Sequence, residues 1–288
     1  MIRSLIVVSL LLISSFSSAQ FSRSKSWSYN LTIGASNMFS DLGGGPLQAH
    51  NDFRDFDLRA TRPAFGVGLT RHHKNLSLGL NLIATQLVAK DQYTTNRGRS
   101  YRNLSANTDL VEISLVSEAY PFARSLRLNR FFVSGGVSAA YFKPKAKLGD
   151  NWIALRPLGT EGQLFEGGEQ PYKRFVVAIP LGVGYGLPLN RISNLKFHLG
   201  YRITFTDYLD DVSTTYVDAA QLAESGGATA ATLADRSTSG MVAGTKRGNP
   251  SNNDHYVIAT VTYQRTIGAK KYDDCTNFEI PLRKTGRR

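Results

Sequence analysis

The chain has 288 residues and a formal net charge of +12, from 34 Lys and Arg against 22 Asp and Glu. A hydrophobic content of 42% excludes a disordered or collagen-like chain, and a single Cys excludes a disulfide framework or a multi-cysteine metal site. With 26 Gly, 13 Tyr and 15 Phe, the mix favours β-structure with tight turns over a helical bundle.

The first residues read as a secretory signal peptide. Arg3 gives a positive start, Leu5 to Ile13 is apolar except for Ser9, and Ser17 and Ala19 stand at a small-residue cleavage site before Gln20. The apolar run is too short for a membrane anchor, and Gln20 in place of a Cys gives no lipoprotein signal. Past this point no stretch of 18 apolar residues occurs, so no transmembrane helix is expected.

Period-two alternation then recurs down the chain and predicts eight strands. Trp27, Tyr29, Leu31 and Ile33 share one face, as do Phe65, Val67 and Leu69 on the second strand. Leu76, Leu78, Leu80 and Leu82 mark the third, and Val111, Ile113 and Leu115 the fourth. Phe131, Val133, Val137 and Tyr141 belong to the fifth, and Phe175 through Tyr185 to the sixth. Leu195 through Phe205 and Val257 through Tyr263 complete the set. Strands of this length suit a tilted bilayer crossing, which takes about 9–11 residues, better than a soluble sandwich.

The connections alternate in length. Long loops fall at roughly 36–60, 90–106, 144–172 and 207–253, and short turns at roughly 71–75, 121–130 and 188–194. That is the rhythm of an outer-membrane barrel with extracellular loops, periplasmic turns and both termini in the periplasm of a Gram-negative cell. A soluble lipocalin-like barrel leaves the one-sided loop lengths unexplained. The expected organisation is a signal peptide at 1–19, an all-β, eight-stranded antiparallel barrel at 20–268 and a basic periplasmic tail at 269–288. The apolar face is expected to meet lipid and lipopolysaccharide, with Tyr120, Phe131, Tyr141, Phe175, Phe205, Tyr208 and Tyr263 as interfacial girdles. The other face, small or polar, fills a lumen too narrow for a diffusion pore.

Few residues carry chemistry. His72 and His73 share a turn with Arg71 and Lys74, which argues against a metal there. Gly43 to Gly45 lacks the Lys-Ser/Thr of a phosphate loop. Asp207, Asp210 and Asp211 cluster past the seventh strand; the choice is between Ca²⁺ and, better favoured, a solvated or Arg-paired loop. Cys275 has no nucleophile–base context. Segment 217–235 is compatible with a short helix over the barrel mouth or with a mobile stretch. No catalytic triad, carboxylate pair, cofactor motif or metal motif is spaced for use, and a non-enzymatic protein is expected. Matching depths along the inward faces predicts a lumenal charge network, with Glu112 near Arg202 and Glu118 near Lys196 or His198; Arg265 is the alternative partner.

Several segments carry a resemblance. Gly34-Ala-Ser-Asn37, Asp41-Leu-Gly-Gly44, Arg62-Pro-Ala-Phe-Gly66, Arg102-Asn-Leu-Ser105, Thr206-Asp-Tyr-Leu-Asp-Asp-Val-Ser213, Thr215-Tyr-Val-Asp218 and Leu233-Ala-Asp-Arg-Ser237 resemble the PorG-like outer-membrane barrels of Bacteroidota. The resemblance spans about 30 to 275, with 206–213 its most specific motif. It implies an eight-stranded barrel and a structural role in the type IX secretion or gliding apparatus, touching a periplasmic ring.

The charge is placed one-sidedly. The expected periplasmic pieces carry Arg23, Lys25, Arg71, Lys74, Arg124, Arg127, Arg130 and Arg191 with no acid. The tail adds Lys270, Lys271, Arg283, Lys284, Arg287 and Arg288 against Asp273, Asp274 and Glu279. Such a face suits an acidic periplasmic partner, which the resemblance places in the secretion ring, or anionic lipid headgroups; the compartment excludes nucleic acid. The alternatives in function are an adhesin acting through its loops and a lipid A-modifying barrel enzyme built around His255 at the outer rim.

Overall fold

The structure, a computed structural model, describes residues 26–44, 56–73, 75–94, 96–122, 128–168 and 170–267. The signal peptide at 1–19 and the basic tail at 269–288, with Cys275, lie outside these residues.

Eight long strands form the staves of a closed antiparallel barrel: β1 (Ser26–Phe39), β2 (Arg62–His73), β3 (Leu76–Lys90), β4 (Ser105–Ala119), β5 (Phe131–Leu148), β7 (Phe175–Pro188), β8 (Ser193–Thr204) and β9 (His255–Ile267). Neighbours in sequence pair around the ring. The first and last staves close it, from Trp27 opposite Ile267 to Phe39 opposite His255. Closure removes the unpaired edges that a sheet would otherwise expose. The expected loop at 144–172 is shorter than its sequence suggests, because β5 runs on past the barrel wall. Its overhang pairs with a short strand, β6 (Asn151–Ala154), from Lys145 opposite Ala154 to Leu148 opposite Asn151. At the same end the described residues of the loops carry three short α-helices, α1 (Arg97–Arg102), α2 (Ala219–Gly226) and α3 (Ala228–Ala234). The last two resolve segment 217–235 as helical; Asp218 caps α2 by accepting from the Ala220 and Gln221 amides. No helix among the described residues is long and apolar enough to cross a membrane.

The alternation sorts the faces as expected. Leu31, Ile33, Phe65, Leu80, Ile113 and Val177 are each about half exposed on the outer wall, whereas Ser28, Asn30, Thr70, Ser114 and Gln264 are buried inside. An outer wall of Leu, Ile, Val and Phe is tolerable only where the solvent is hydrocarbon.

The interior departs from the expectation of a uniformly small or polar lumen. Its long-loop half is an apolar core of Ile83, Leu87, Leu110, Phe142, Tyr256 and Ile258, joined by Leu209 and Val212 from the loop after β8. Charged and polar side chains occupy the middle and the short-turn half. The lumen is therefore filled along its length.

Two of the expected girdle aromatics also turn elsewhere. Tyr120 donates its hydroxyl to Glu118 at 3.3 Å and packs on Phe132 inside the barrel. Tyr208 stacks on Tyr172 within the cap at 4.7 Å. Each finds a partner inside that a lipid interface would not supply. Phe175 and Phe205 remain strongly exposed.

Candidate functional site: the two mouths and the lumen between them

Glu112 on β4 and Arg202 on β8 meet across the lumen, Arg202 Nε standing 3.2 Å from Glu112 Oε2. Both are buried, and Tyr256 donates its hydroxyl to the same oxygen at 2.5 Å. One layer nearer the short turns, Lys196 ion-pairs with Glu118 and lies over the Phe132 ring, 4.9 Å from its centroid. His198 does not join an acid: its Nε2 is hydrogen-bonded to Ser134 at 2.8 Å, and its ring stacks on Phe132. Arg265 points outward on β9 and takes no part. Inward glycines make room for these groups. A Cβ on Gly182 would collide with His198 Nε2, one on Gly184 with Phe132 Cζ, and one on Gly200 with Arg202 Nη1.

The short-turn mouth holds a recess of about 350 Å³ lined by His72, Tyr120, Arg130, Lys196 and Gln264 among others. Both nitrogens of His72 are engaged, Nε2 with Ser28 and Nδ1 with Ser77, each at 2.9 Å. On the rim Arg71 lies over Trp27, 5.4 Å from its ring, and Arg130 and Arg191 are exposed. Of the residues expected to form the basic face, Lys74, Arg124, Arg127, Lys270 and Lys271 lie outside the described residues, as do Arg23 and Lys25.

The long-loop mouth is closed by a cap organised on two buried arginines. Arg102, at the end of α1, forms a two-pronged pair with Asp91 at 2.7 and 2.8 Å and donates to the carbonyls of Asp41 and Arg247. Arg247 pairs with Glu161 at 2.8 Å and reaches Asp211 at 4.0 Å. Glu161 in turn accepts from the amides of Ser213 and Thr214. Of these five residues the sequence singles out Asp211 as a candidate and Arg102 only within a resemblance motif; Asp91, Glu161 and Arg247 escape it. The signals lay in the Arg102-Asn-Leu-Ser105 segment and in Arg247-Gly248, whose glycine sits against Ser213 backbone.

The three aspartates of 207–211 are buried, which corrects the solvated-loop expectation, and only one meets an arginine. Asp211 accepts from Thr160 at 2.6 Å and Tyr172 at 2.5 Å, beside Arg247. Asp210 accepts from the Leu42 and Val212 amides. Asp207 meets a donor only in the Ser213 side chain and pairs with no cation among the described residues, and Asp254, which accepts from Leu209 N at 2.8 Å through Oδ2, leaves Oδ1 unpaired. Burial, reinforced by neighbouring carboxylates, pushes Asp207, Asp210 and Asp254 well above the ordinary range. Burial also lifts Asp41 and Asp211 to about 6, against the opposing pull of hydrogen bonds and of Arg102 and Arg247. An outward recess of about 380 Å³ beside this network is lined by Arg99, Arg102, Lys246 and Arg247 together with Asp41 and Asn249.

His255, at the outer rim, accepts from Thr204 N at 3.3 Å and meets the Tyr201 ring edge-on. Among the described residues, no three His, Cys, Asp or Glu side chains form a metal cage.

A filled, lipid-faced, eight-stranded barrel with a polar interior and loops at one mouth defines the class: an outer-membrane-type β-barrel. No family model and no curated protein sequence matches the chain. Among solved structures it is similar to Ail, the attachment invasion locus protein of Yersinia pestis, in complex with the heparin analogue sucrose octasulfate (7% identity, 85% of this chain and 100% of that one, TM-score 0.40). It is also similar to Neisserial surface protein A (10% identity, 84% and 97%, TM-score 0.36) and to the N-terminal β-barrel domain of Pseudomonas aeruginosa OprF (8% identity, 85% and 100%, TM-score 0.34). At such identities the likeness concerns the arrangement of strands alone.

Proposed function

We propose that the chain is a non-enzymatic outer-membrane barrel whose short-turn face points into the periplasm and docks an acidic protein partner. The observation that carries this reading is the asymmetry of charge. At the short-turn mouth Arg71, Arg130 and Arg191 are exposed, and Glu118 is already committed to Lys196. The long-loop mouth instead carries acids as well, burying Asp207, Asp210, Asp211 and Asp254 in its cap and exposing Asp150, Glu166, Asp218 and Glu224. A one-sided positive field accelerates encounter with an acidic surface and favours it most at low salt. The sequence resemblance to PorG-like barrels suggests that the partner belongs to the type IX secretion ring. Reversing Arg124, Arg127 and Arg130 to Glu and deleting 269–288 tests this in native membranes. The barrel should keep its heat-modifiable band and lose salt-sensitive co-purification of ring proteins. Retention of the same proteins with unchanged salt sensitivity would remove the short-turn face from consideration.

The recess lined by Arg99 and Lys246 favours a second reading, a surface-binding barrel that acts through its loops. Replacing both cations with Ala then abolishes whole-cell ligand binding and leaves co-purification intact.

A further inference from the structure

The cap contains an imbalance that its arginines do not correct. Arg102 is taken by Asp91, and Arg247 by Glu161 and Asp211. Asp207 and Asp254 remain, 6% and 0% exposed, with no cation paired to either among the described residues: the Asp207 carboxylate has the Ser213 side chain as its donor, and Asp254 Oδ1 accepts nothing. The two residues are neighbours. The Asp254 amide donates to Thr206 O at 2.8 Å, and the Asp254 carboxylate anchors the Leu209 amide, so it sits beneath the turn that carries Asp207. Unpaired buried carboxylates are costly, and native proteins satisfy them with a partner.

We propose that Asp207 and Asp254 form a binding site for a divalent cation of the Ca²⁺ class at the long-loop mouth. The chemistry fits a hard cation. Asp207 offers both oxygens, as a bidentate carboxylate does, and Asp254 offers Oδ1 while Oδ2 stays on Leu209 N. Ca²⁺ accepts six to eight oxygens in irregular geometry, so backbone carbonyls and water complete the shell; Mg²⁺ demands a near-ideal octahedron that an irregular loop does not provide. The described cap supplies two free carboxylates rather than three, which places the affinity in the weak class, with a Kd of about 0.1–1 mM. The ion would tie the 206–209 turn to the start of β9, fixing the loop that plugs the barrel through Leu209 and Val212.

The experiment uses the full barrel in detergent micelles, stripped with EDTA and titrated with CaCl₂ by calorimetry, with thermal stability followed in parallel. The substitution is Asp207→Asn, which keeps the side-chain volume and one acceptor oxygen for Ser213. Exposed Glu224→Gln on α2 serves as the control for general charge. Ca²⁺ should bind at one equivalent to the wild type and to Glu224→Gln, and at least tenfold more weakly to Asp207→Asn. In EDTA Asp207→Asn should be the more stable protein, since it removes a buried carboxyl that folding forces to take up a proton; in Ca²⁺ the wild type should overtake it. If the wild type takes up no Ca²⁺ at about 10 mM, or if Asp207→Asn binds it equally well, the site is refuted and the free oxygens hold protons or water.

Discussion

Glu112 and Arg202 face each other from strands that lie three places apart around the ring, and the Tyr256 hydroxyl completes the carboxylate. The pair ties opposing walls together below the apolar core. Removing one member leaves a buried charge without its counterpart, which costs about 3–5 kcal/mol, whereas replacing both by apolar groups is far milder. Glu112→Ala should therefore lower the unfolding midpoint in urea sharply. Combining Glu112→Leu with Arg202→Met should restore most of it. Equal losses in the single and double variants would show that the pair is not coupled.

The glycines of β7 are predicted to matter by what faces them. Alanine at 184 drives a methyl into the Phe132 ring and should cost about 1–3 kcal/mol of overpacking. Alanine at 186 meets only Arg130 O at 3.9 Å and should be close to neutral. Reversed sensitivity in refolding yields would mean that Phe132 does not occupy the lumen.

Depth sets the cost of charge on the outer wall. Leu199 lies midway along β8, and Leu187 near the short-turn end of β7; both face outward. Leu199→Arg should cost about 2–4 kcal/mol and Leu187→Arg about 0–1. Equal costs in lipid vesicles would contradict the placement of the bilayer.

The cap should loosen as pH rises. Asp41 and Asp211 carry folded-state values of about 6 against an ordinary 3.8. Their stabilising contribution is complete below about 4 and is lost as the pH climbs through 6. The upward shifts of Asp207, Asp210 and Asp254 act in the same direction at higher pH. In EDTA, the Leu42, Leu209 and Val212 amides should exchange with deuterium faster at pH 8 than at pH 5, after correction for intrinsic rates. Slower exchange at pH 8 would reverse the sign.

The barrel was legible in the sequence because period-two alternation and loop length are local signals. Leu76, Leu78, Leu80 and Leu82 point one way whatever the rest of the chain does. Depth counting from the strand ends also sets Glu112 opposite Arg202. The apolar half of the lumen was not legible: Val176 beside Val177, and Val257 beside Ile258, read as continuous apolar runs in which the inward member is hidden. The cap was hidden for another reason. Arg247 and Glu161 lie 86 residues apart in loops without period, so only the folded chain brings them together.

The most direct test of the account is orientation, because a periplasmic short-turn face is what the docking proposal requires. Cys275 is the single cysteine and lies in the basic tail, while Lys246 is exposed at the long-loop mouth. A membrane-impermeant maleimide should label Lys246→Cys (in a Cys275→Ser background) on intact cells, and Cys275 of the wild type only after the outer membrane is permeabilised. Labelling of Cys275 on intact cells, with Lys246→Cys protected, would place the basic face outside and contradict the account.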